Sequence, residues 1–154
     1  MPEFRKSQGR YLRAGRYSEI GRIYLLTTVV KDRKLAFQNW QLGRLLVGTM
    51  KQAEIEGQIK SLAWVIMPDH LHWLVELRAG TLDGVMRRVK SRSTHAINQA
   101  SGRKGPLWQP GYHDHAVRHE DDLKVLARYV LANPLRAGLV KKLAEYPLWD
   151  AIWL

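Results

Sequence analysis

The chain is predicted to fold as an α+β sandwich, an antiparallel four-stranded sheet with two helices on one face and a third helix on the other. Three observations lead there. Apolar residues change period along the chain, from short β-branched and aromatic runs to stripes that return every helical turn. These segments follow the order strand, helix, strand, strand, helix, strand, helix, the split βαβ pattern of a ferredoxin-like sandwich with one helix added. The second and third strands are joined by Pro68-Asp69 alone, a link too short for anything but a tight hairpin.

The first 22 residues hold Arg5, Lys6, Arg10, Arg13, Arg16 and Arg22 without an apolar segment, which is no secretory signal. Residues 1–20 read as a basic arm that orders on a ligand. Ile23-Tyr-Leu-Leu-Thr-Thr-Val-Val30 is a strand buried on both faces, and residues 31–34 are a polar turn. A helix is expected over residues 38–56, with Leu42, Leu45, Leu46, Met50 and Ala53 on one face and Gly57 as its stop. Residues 60–67 and 70–77 form the hairpin. Along its second strand Leu71, Trp73, Val75 and Leu77 point to the core; His70, His72, Leu74 and Glu76 point the other way.

Thr81 caps the second helix, whose apolar stripe is Leu82, Val85, Met86, Val89, Ala96, Ile97 and Ala100. Residues 111–118 read as the fourth strand. His119-Glu-Asp-Asp122 opens the third helix, its acids suited to a positive helix N-terminus. That helix is expected to falter near Asn133, because Pro134 disfavours α conformation in the residue before it. Trp149 and Trp153 pack a short tail onto the body. The whole is one domain, with an arm at 1–20, a catalytic core at 21–140 and a tail at 141–154.

At 154 residues and 45% hydrophobic composition, the chain is long enough and apolar enough for one globular domain. The absence of cysteine excludes disulfides and thiolate metal sites. No run of about 18 apolar residues exists to span a membrane, and a cytoplasmic location is expected. Twenty-five Lys and Arg against fourteen Asp and Glu give a net charge of +11, which suits a polyanionic partner, nucleic acid first. The densest basic stretch is Arg87, Arg88, Lys90 and Arg92 on the second helix, with Arg103 and Lys104 after it. No acid stands between Asp83 and Asp114, so a phosphate-contacting surface is favoured over a merely solvated face. Trp108, in the following loop, either packs or stacks on a base.

His70 and His72 are two apart in a strand and project side by side, so they can share one metal ion or be an ordinary pair. On the third helix Tyr129 and Asn133 are neighbours at i and i+4. If that helix crosses the histidine face, Asn133 adds an oxygen ligand and Tyr129 stands one turn away. Imidazole, amide and water ligands suit Mg²⁺ or Mn²⁺, although imidazole alone also accepts Zn²⁺. A metal there polarises a phosphoryl oxygen, and a tyrosine hydroxyl beside it can attack phosphorus.

Pro68-Asp-His-Leu-His72 resembles the HUH motif, histidine, bulky apolar residue, histidine. Tyr129-Val-Leu-Ala-Asn-Pro134 with Arg136-Ala-Gly138 resembles the tyrosine motif of the REP-associated tyrosine transposases, single-tyrosine relatives of the insertion-sequence transposases. Trp108-Gln-Pro110 and His115-Ala-Val-Arg118 look like the block those proteins carry before the last strand. The resemblance spans residues 20–145 and implies that His70 and His72 bind the metal, that Tyr129 is the nucleophile, and that Asn133 is a third ligand. It implies single-stranded DNA folded as a hairpin as substrate, and a 5′-phosphotyrosine with a free 3′-OH as products. Relatives act as monomers or as homodimers that exchange the tyrosine helix; the short link before Tyr129 favours assembly in one chain.

Other readings are open to these residues. A non-catalytic binder of single-stranded nucleic acid would use the same basic sandwich with Trp and Tyr as stacking platforms, but it has no use for His70 and His72 coinciding with Tyr129 and Asn133. A zinc hydrolase would join His113-Asp-His115 to the first pair, with only Asp69 or Asp114 as base. His115 reads as structural or substrate-facing, His95 as solvated. Tyr17, Tyr24 and Tyr112 are rival nucleophiles in principle only.

Overall fold

Six of the seven residues of Ile23–Val29 are buried, as expected of a β-branched and leucine-rich strand covered on both faces. In the computed structural model, which describes residues 18–153, this strand, β1, is followed by α1 (Trp40–Ile55), β2 (Ile59–Met67), β3 (His70–Leu77), α2 (Leu82–Ser101), β4 (His113–Ala116), α3 (Glu120–Arg136) and β5 (Trp149–Ala151). The basic arm of residues 1–17, with Tyr17, lies outside the described residues. The sheet order is β4-β1-β3-β2-β5, antiparallel throughout, so β3 lies at its centre.

The period of two along β3 sorts its side chains as the sequence predicts. Leu71, Trp73, Val75 and Leu77 join Leu46 and Met50 of α1 and Val85, Met86 and Val89 of α2 in the larger core. Leu74 turns to the opposite face and meets Leu25, Val65 and Met67 with Leu126, Ala127 and Val130 of α3. Each such large aliphatic side chain contributes about 1.5–3 kcal/mol by leaving water. The helices start where side chains can satisfy their first N–H groups: Asn39 accepts from Gln41 N at 3.0 Å and Thr81 from Gly84 N at 3.0 Å. Gly102, at φ 73°, ends α2 in the left-handed conformation that glycine adopts without strain. Among the described residues no helix is long and apolar enough to cross a membrane.

Three expectations are corrected. The sheet has five strands, not four, because the tail pairs with β2 through Val65↔Trp149 and Ala63↔Ala151. Without it the edge of β2 would present unpaired backbone groups. The tail is seated by Leu148, 1% exposed, against Gly43 of α1, where a Cβ would come within 2.5 Å of Leu148 Cδ1. Second, β4 spans only residues 113–116. Third, α3 does not falter at Asn133 but continues through Pro134 to Arg136. Pro134 takes an N–H from the Val130 carbonyl, and the Asn133 side-chain amide replaces it, donating to Val130 O at 3.0 Å.

Tyr146 fastens the tail to the hairpin by donating to Ile66 O at 2.5 Å, and burial pushes its hydroxyl up to about 12. A tyrosine value raised above the unfolded one, about 10, contributes stability present in full below pH 10 and lost as pH rises through the folded value. Tyr146→Phe is expected to lose about 1 kcal/mol at neutral pH through the missing hydrogen bond. It should also show a shallower decline between pH 10 and 12. Denaturant titrations of the two proteins across that range measure both effects.

Candidate active site

The site is built on the first turn of the central strand. His70 and His72 stand edge to face on one side of β3, their ring centroids 4.8 Å apart at 84°. Each has its Nδ1 engaged. His72, 6% exposed, meets the Thr27 hydroxyl of β1 at 2.8 Å, directly across the ladder. His70 Nδ1 lies 2.7 Å from Asp69 Oδ1, and Arg33 donates to the other carboxylate oxygen at 3.0 Å. The Asp69 carboxylate accepts from His70 Nδ1–H, which leaves the lone pair on Nε2 of the neutral ring. The Thr27 hydroxyl can donate or accept, so the His72 lone pair is on Nε2 when its Nδ1–H donates to Thr27, the arrangement that outer-shell partners impose on metal-binding histidines.

Electrostatics agree. Burial first, then the charges of His70 and Arg136, push the His72 value down to about 3, so its ring is neutral near pH 7 and able to donate a lone pair. Burial acts to raise the Asp69 carboxyl, but hydrogen bonds and charges from His70 and Arg33 outweigh it and hold the group below the ordinary carboxylate value. Asp69 is thus an anion that orients His70.

Helix α3 crosses this face as expected. The half-buried Tyr129 ring stands 5.9 Å from the His72 ring at 71°, within the same chain. Arg136 lies 4.0 Å over the tyrosine ring and donates to Tyr129 O at 3.2 Å. The Asn133 amide nitrogen donates to Tyr129 O and Val130 O, each at 3.0 Å, and Oδ1 takes no part in those two bonds. Among the described residues no group of three His, Cys, Asp or Glu gathers that could hold a metal. Imidazole nitrogen and amide oxygen are donor types that suit a divalent ion completed by water or phosphate oxygens.

The second histidine pair is set apart. His113 and His115 face Thr27 and Leu25 from β4, so β1 lies between them and β3. The pairs form no single zinc centre among the described residues. His113 is buried and continues the row His113, Thr27, His72 across three strands. Burial, and then Arg118, lower His115 against the opposing pull of Asp122 and Asp114. Tyr112 is buried and donates to Asp83 at 2.5 Å, while the buried Tyr24 hydroxyl accepts from Glu19 N at 2.9 Å. Among the described residues, Tyr129 is the tyrosine whose ring meets His72.

The basic helix is not the bare cationic face its sequence suggests. Helix α2 packs on the side of the sheet opposite α3. Arg92 forms a two-pronged bridge with Glu56 at the end of α1, at 2.8 and 3.1 Å, so an acid distant in sequence neutralises it. Lys90 donates to the Gln109 and Gly111 carbonyls at 2.9 and 2.6 Å, and Arg88 faces the Gln58 amide. Arg103 holds Asn98 at 2.9 Å. Trp108 is buried: its indole donates to Ser93 at 3.0 Å and packs 5.6 Å from Phe37, so it packs and does not stack on a base. Arg87 and Lys104 are exposed. Sequence reasoning missed Thr27, whose signal was a Thr-Thr pair in an apolar strand, and Arg33, for which adjacent residues gave none; Arg136 entered it only as part of the tyrosine-motif resemblance, without a role of its own.

The family described as "Transposase IS200 like" matches residues 21–133. A REP-associated tyrosine transposase of Escherichia coli (strain K12) is 34% identical over 87 residues, 55% of this chain and 50% of that one, so the chain spans about half the length of that relative. A solved structure of a REP-associated tyrosine transposase bound to a REP hairpin superposes with a TM-score of 0.73 at 25% identity, over 97% of this chain and 82% of the other.

The Thr27–His72 pair gives a direct expectation. Thr27→Val keeps the shape but buries the His72 Nδ1 without its partner, and should cost about 1–3 kcal/mol. Thr27→Ser should recover most of it. Denaturant midpoints decide: equal stability of the Val and Ser variants would mean that the hydroxyl does not hold the ring.

Proposed function

The chain belongs to the IS200-like transposase family, and on that premise we propose that it is a metal-dependent endonuclease and strand-transfer enzyme acting on single-stranded DNA beside hairpins. The observation that carries this reading is the Tyr129 ring 5.9 Å from His72 on the face where His70 also projects. A binding protein needs no such juxtaposition. Because the Tyr129 ring approaches His72 within one chain, this reading needs no second copy to supply the tyrosine.

His70 and His72 through Nε2, and Asn133 through Oδ1, would hold Mg²⁺ or Mn²⁺. When bound, such an ion supplies positive charge to a phosphoryl oxygen. The residues of the chain do the rest. Tyr129 Oη attacks phosphorus; the P–Oη bond forms as the P–O3′ bond breaks, the phenolic proton is lost, and O3′ leaves and is protonated. The products are a 5′-phosphotyrosine and a free 3′-OH. The new ester keeps the bond energy, so attack by another 3′-OH reverses the step and joins strands. Arg136 fixes the tyrosine ring and places a cation beside the phosphate site. Asp69 keeps His70 in the ligating tautomer, and Thr27 holds the His72 ring in place. The hairpin in the solved relative suggests the DNA form that the chain accepts.

With Mg²⁺ or Mn²⁺ and labelled hairpin oligonucleotides carrying single-stranded flanks, the protein should form an adduct that survives denaturing electrophoresis. Tyr129→Phe should abolish the adduct and leave DNA affinity within about threefold, well under the tenfold that 1.4 kcal/mol represents. His70→Ala, His72→Ala and chelation should each remove the adduct from protein that remains folded by circular dichroism. Adduct formed by Tyr129→Phe would move the nucleophile elsewhere and sink the proposal.

A further inference from the structure

The segment joining β1 to α1 is held in an unusual shape at the histidine end of the sheet. Asp32 and Arg33 adopt φ of 58° and 50°, the left-handed region that residues with a Cβ avoid. Several bonds hold them there. Val30 N donates to Asp69 O at 2.9 Å, Lys31 N to Leu107 O at 2.9 Å and Phe37 N to Pro68 O at 3.0 Å. Arg33 adds its bond to Asp69 Oδ2. The segment is therefore strapped along Pro68-Asp69, the two residues that lead into His70.

The side chains it displays are of two kinds. Lys31 and Lys34 are exposed. Phe37 is buried at 2% exposure, whereas Leu35 and Trp40 on either side stay out at 52% and 54%. A segment that anchors itself with one aromatic, leaves a larger one in water at the first residue of α1, and carries exposed Lys31 and Lys34 against one exposed acid, Asp32, has the composition of a single-strand binding surface: charges for phosphates and a ring face for a base. A duplex, whose bases are already stacked, has no use for the ring.

We propose that residues 31–40 form a lip that grips the single strand flanking the cleavage site, with Lys31 and Lys34 on its phosphates and Trp40 stacked on an unpaired base. The proposal rests on the reading of the site as a single-stranded DNA nuclease, and adds where the strand is held. Arg33 is the pin: through Asp69 it ties the lip to His70, so the surface that holds the strand and the imidazole that faces its phosphate are positioned together. A turn fixed by backbone bonds before DNA arrives needs no ordering on binding. The lip supplies the exposed aromatic and cations that Trp108, Lys90 and Arg92, occupied within the fold, do not.

The test is binding without chemistry. In the Tyr129→Phe protein, affinity is measured by fluorescence anisotropy for a hairpin with a single-stranded extension of about eight nucleotides, within the usual site size, and for the same hairpin blunt-ended. Trp40→Ala should weaken the extended hairpin roughly tenfold or more, the scale of one lost base stack, and the blunt one less than about twofold. Trp40→Phe should keep most of the affinity. Lys31→Ala with Lys34→Ala should flatten the salt dependence by about 1.4 in slope, at roughly 0.7 per phosphate on a single strand. Unchanged affinity, or equal losses on both oligonucleotides, would make the lip a solvated surface and overturn the proposal. The wild-type adduct assay reports separately on the catalytic reading: adduct without a lip effect removes the lip alone, and a lip effect without adduct removes the chemistry alone.

Discussion

The 2.8 Å bond between the Thr27 hydroxyl and His72 is the interaction on which the site turns. Strand β3 occupies the centre of a sheet covered on both faces, and a bare imidazole there would carry an unsatisfied nitrogen. Thr27 removes that penalty and fixes the ring's orientation in one contact. The register that brings it opposite His72 also sets Leu71, Trp73, Val75 and Leu77 into the larger core. A slip of one residue would exchange the two faces, burying the histidines among α1 and α2 and turning Trp73 toward α3. Hydrophobic pairing of one face thus fixes the polar geometry of the other.

What the sequence made legible was what periodicity carries. The alternation of residues 70–77, the stripe from Leu82 to Ile97 and the i,i+4 pair of Tyr129 and Asn133 each depend on one element's own geometry, and each is found as expected. What it concealed depends on partners distant along the chain. The three residues of β5 are too few for a pattern and are strand only because β2 offers an open edge. The cations of α2 looked unopposed because Glu56 belongs to another helix. Trp108 sits among loop residues, and only the bridge from Val30 to Trp108 brings it under α2, where Ser93 receives its N–H.

The fate of the cations shows why net charge locates a partner class better than a surface. The excess of +11 is real, but Lys90, Arg92 and Arg103 spend their donors on carbonyls, a carboxylate and an amide within the fold. Arg33 and Arg136 lie outside the dense basic run, yet both reach the site, one through Asp69 and one over the Tyr129 ring. Density of Lys and Arg in sequence marks where a helix faces outward. Proximity to the chemistry depends on which loops the sheet gathers at one end.

Helix α3 shows how a departure from a local rule serves such a site. Pro134 would normally end the helix, and the cost falls on the Val130 carbonyl. The Asn133 amide meets that carbonyl, and it also meets Tyr129 O, which Arg136 shares. Tyrosine, amide and guanidinium are therefore joined through the carbonyls of two consecutive residues. With both donors of the amide turned toward the helix, its plane is set, and Oδ1 must point away from those carbonyls. An asparagine in an unbroken helix would lack the unmet carbonyl that holds it so. Proline here orients the oxygen of the residue before it, and the helix continues because that residue is one whose side chain can stand in for a backbone N–H.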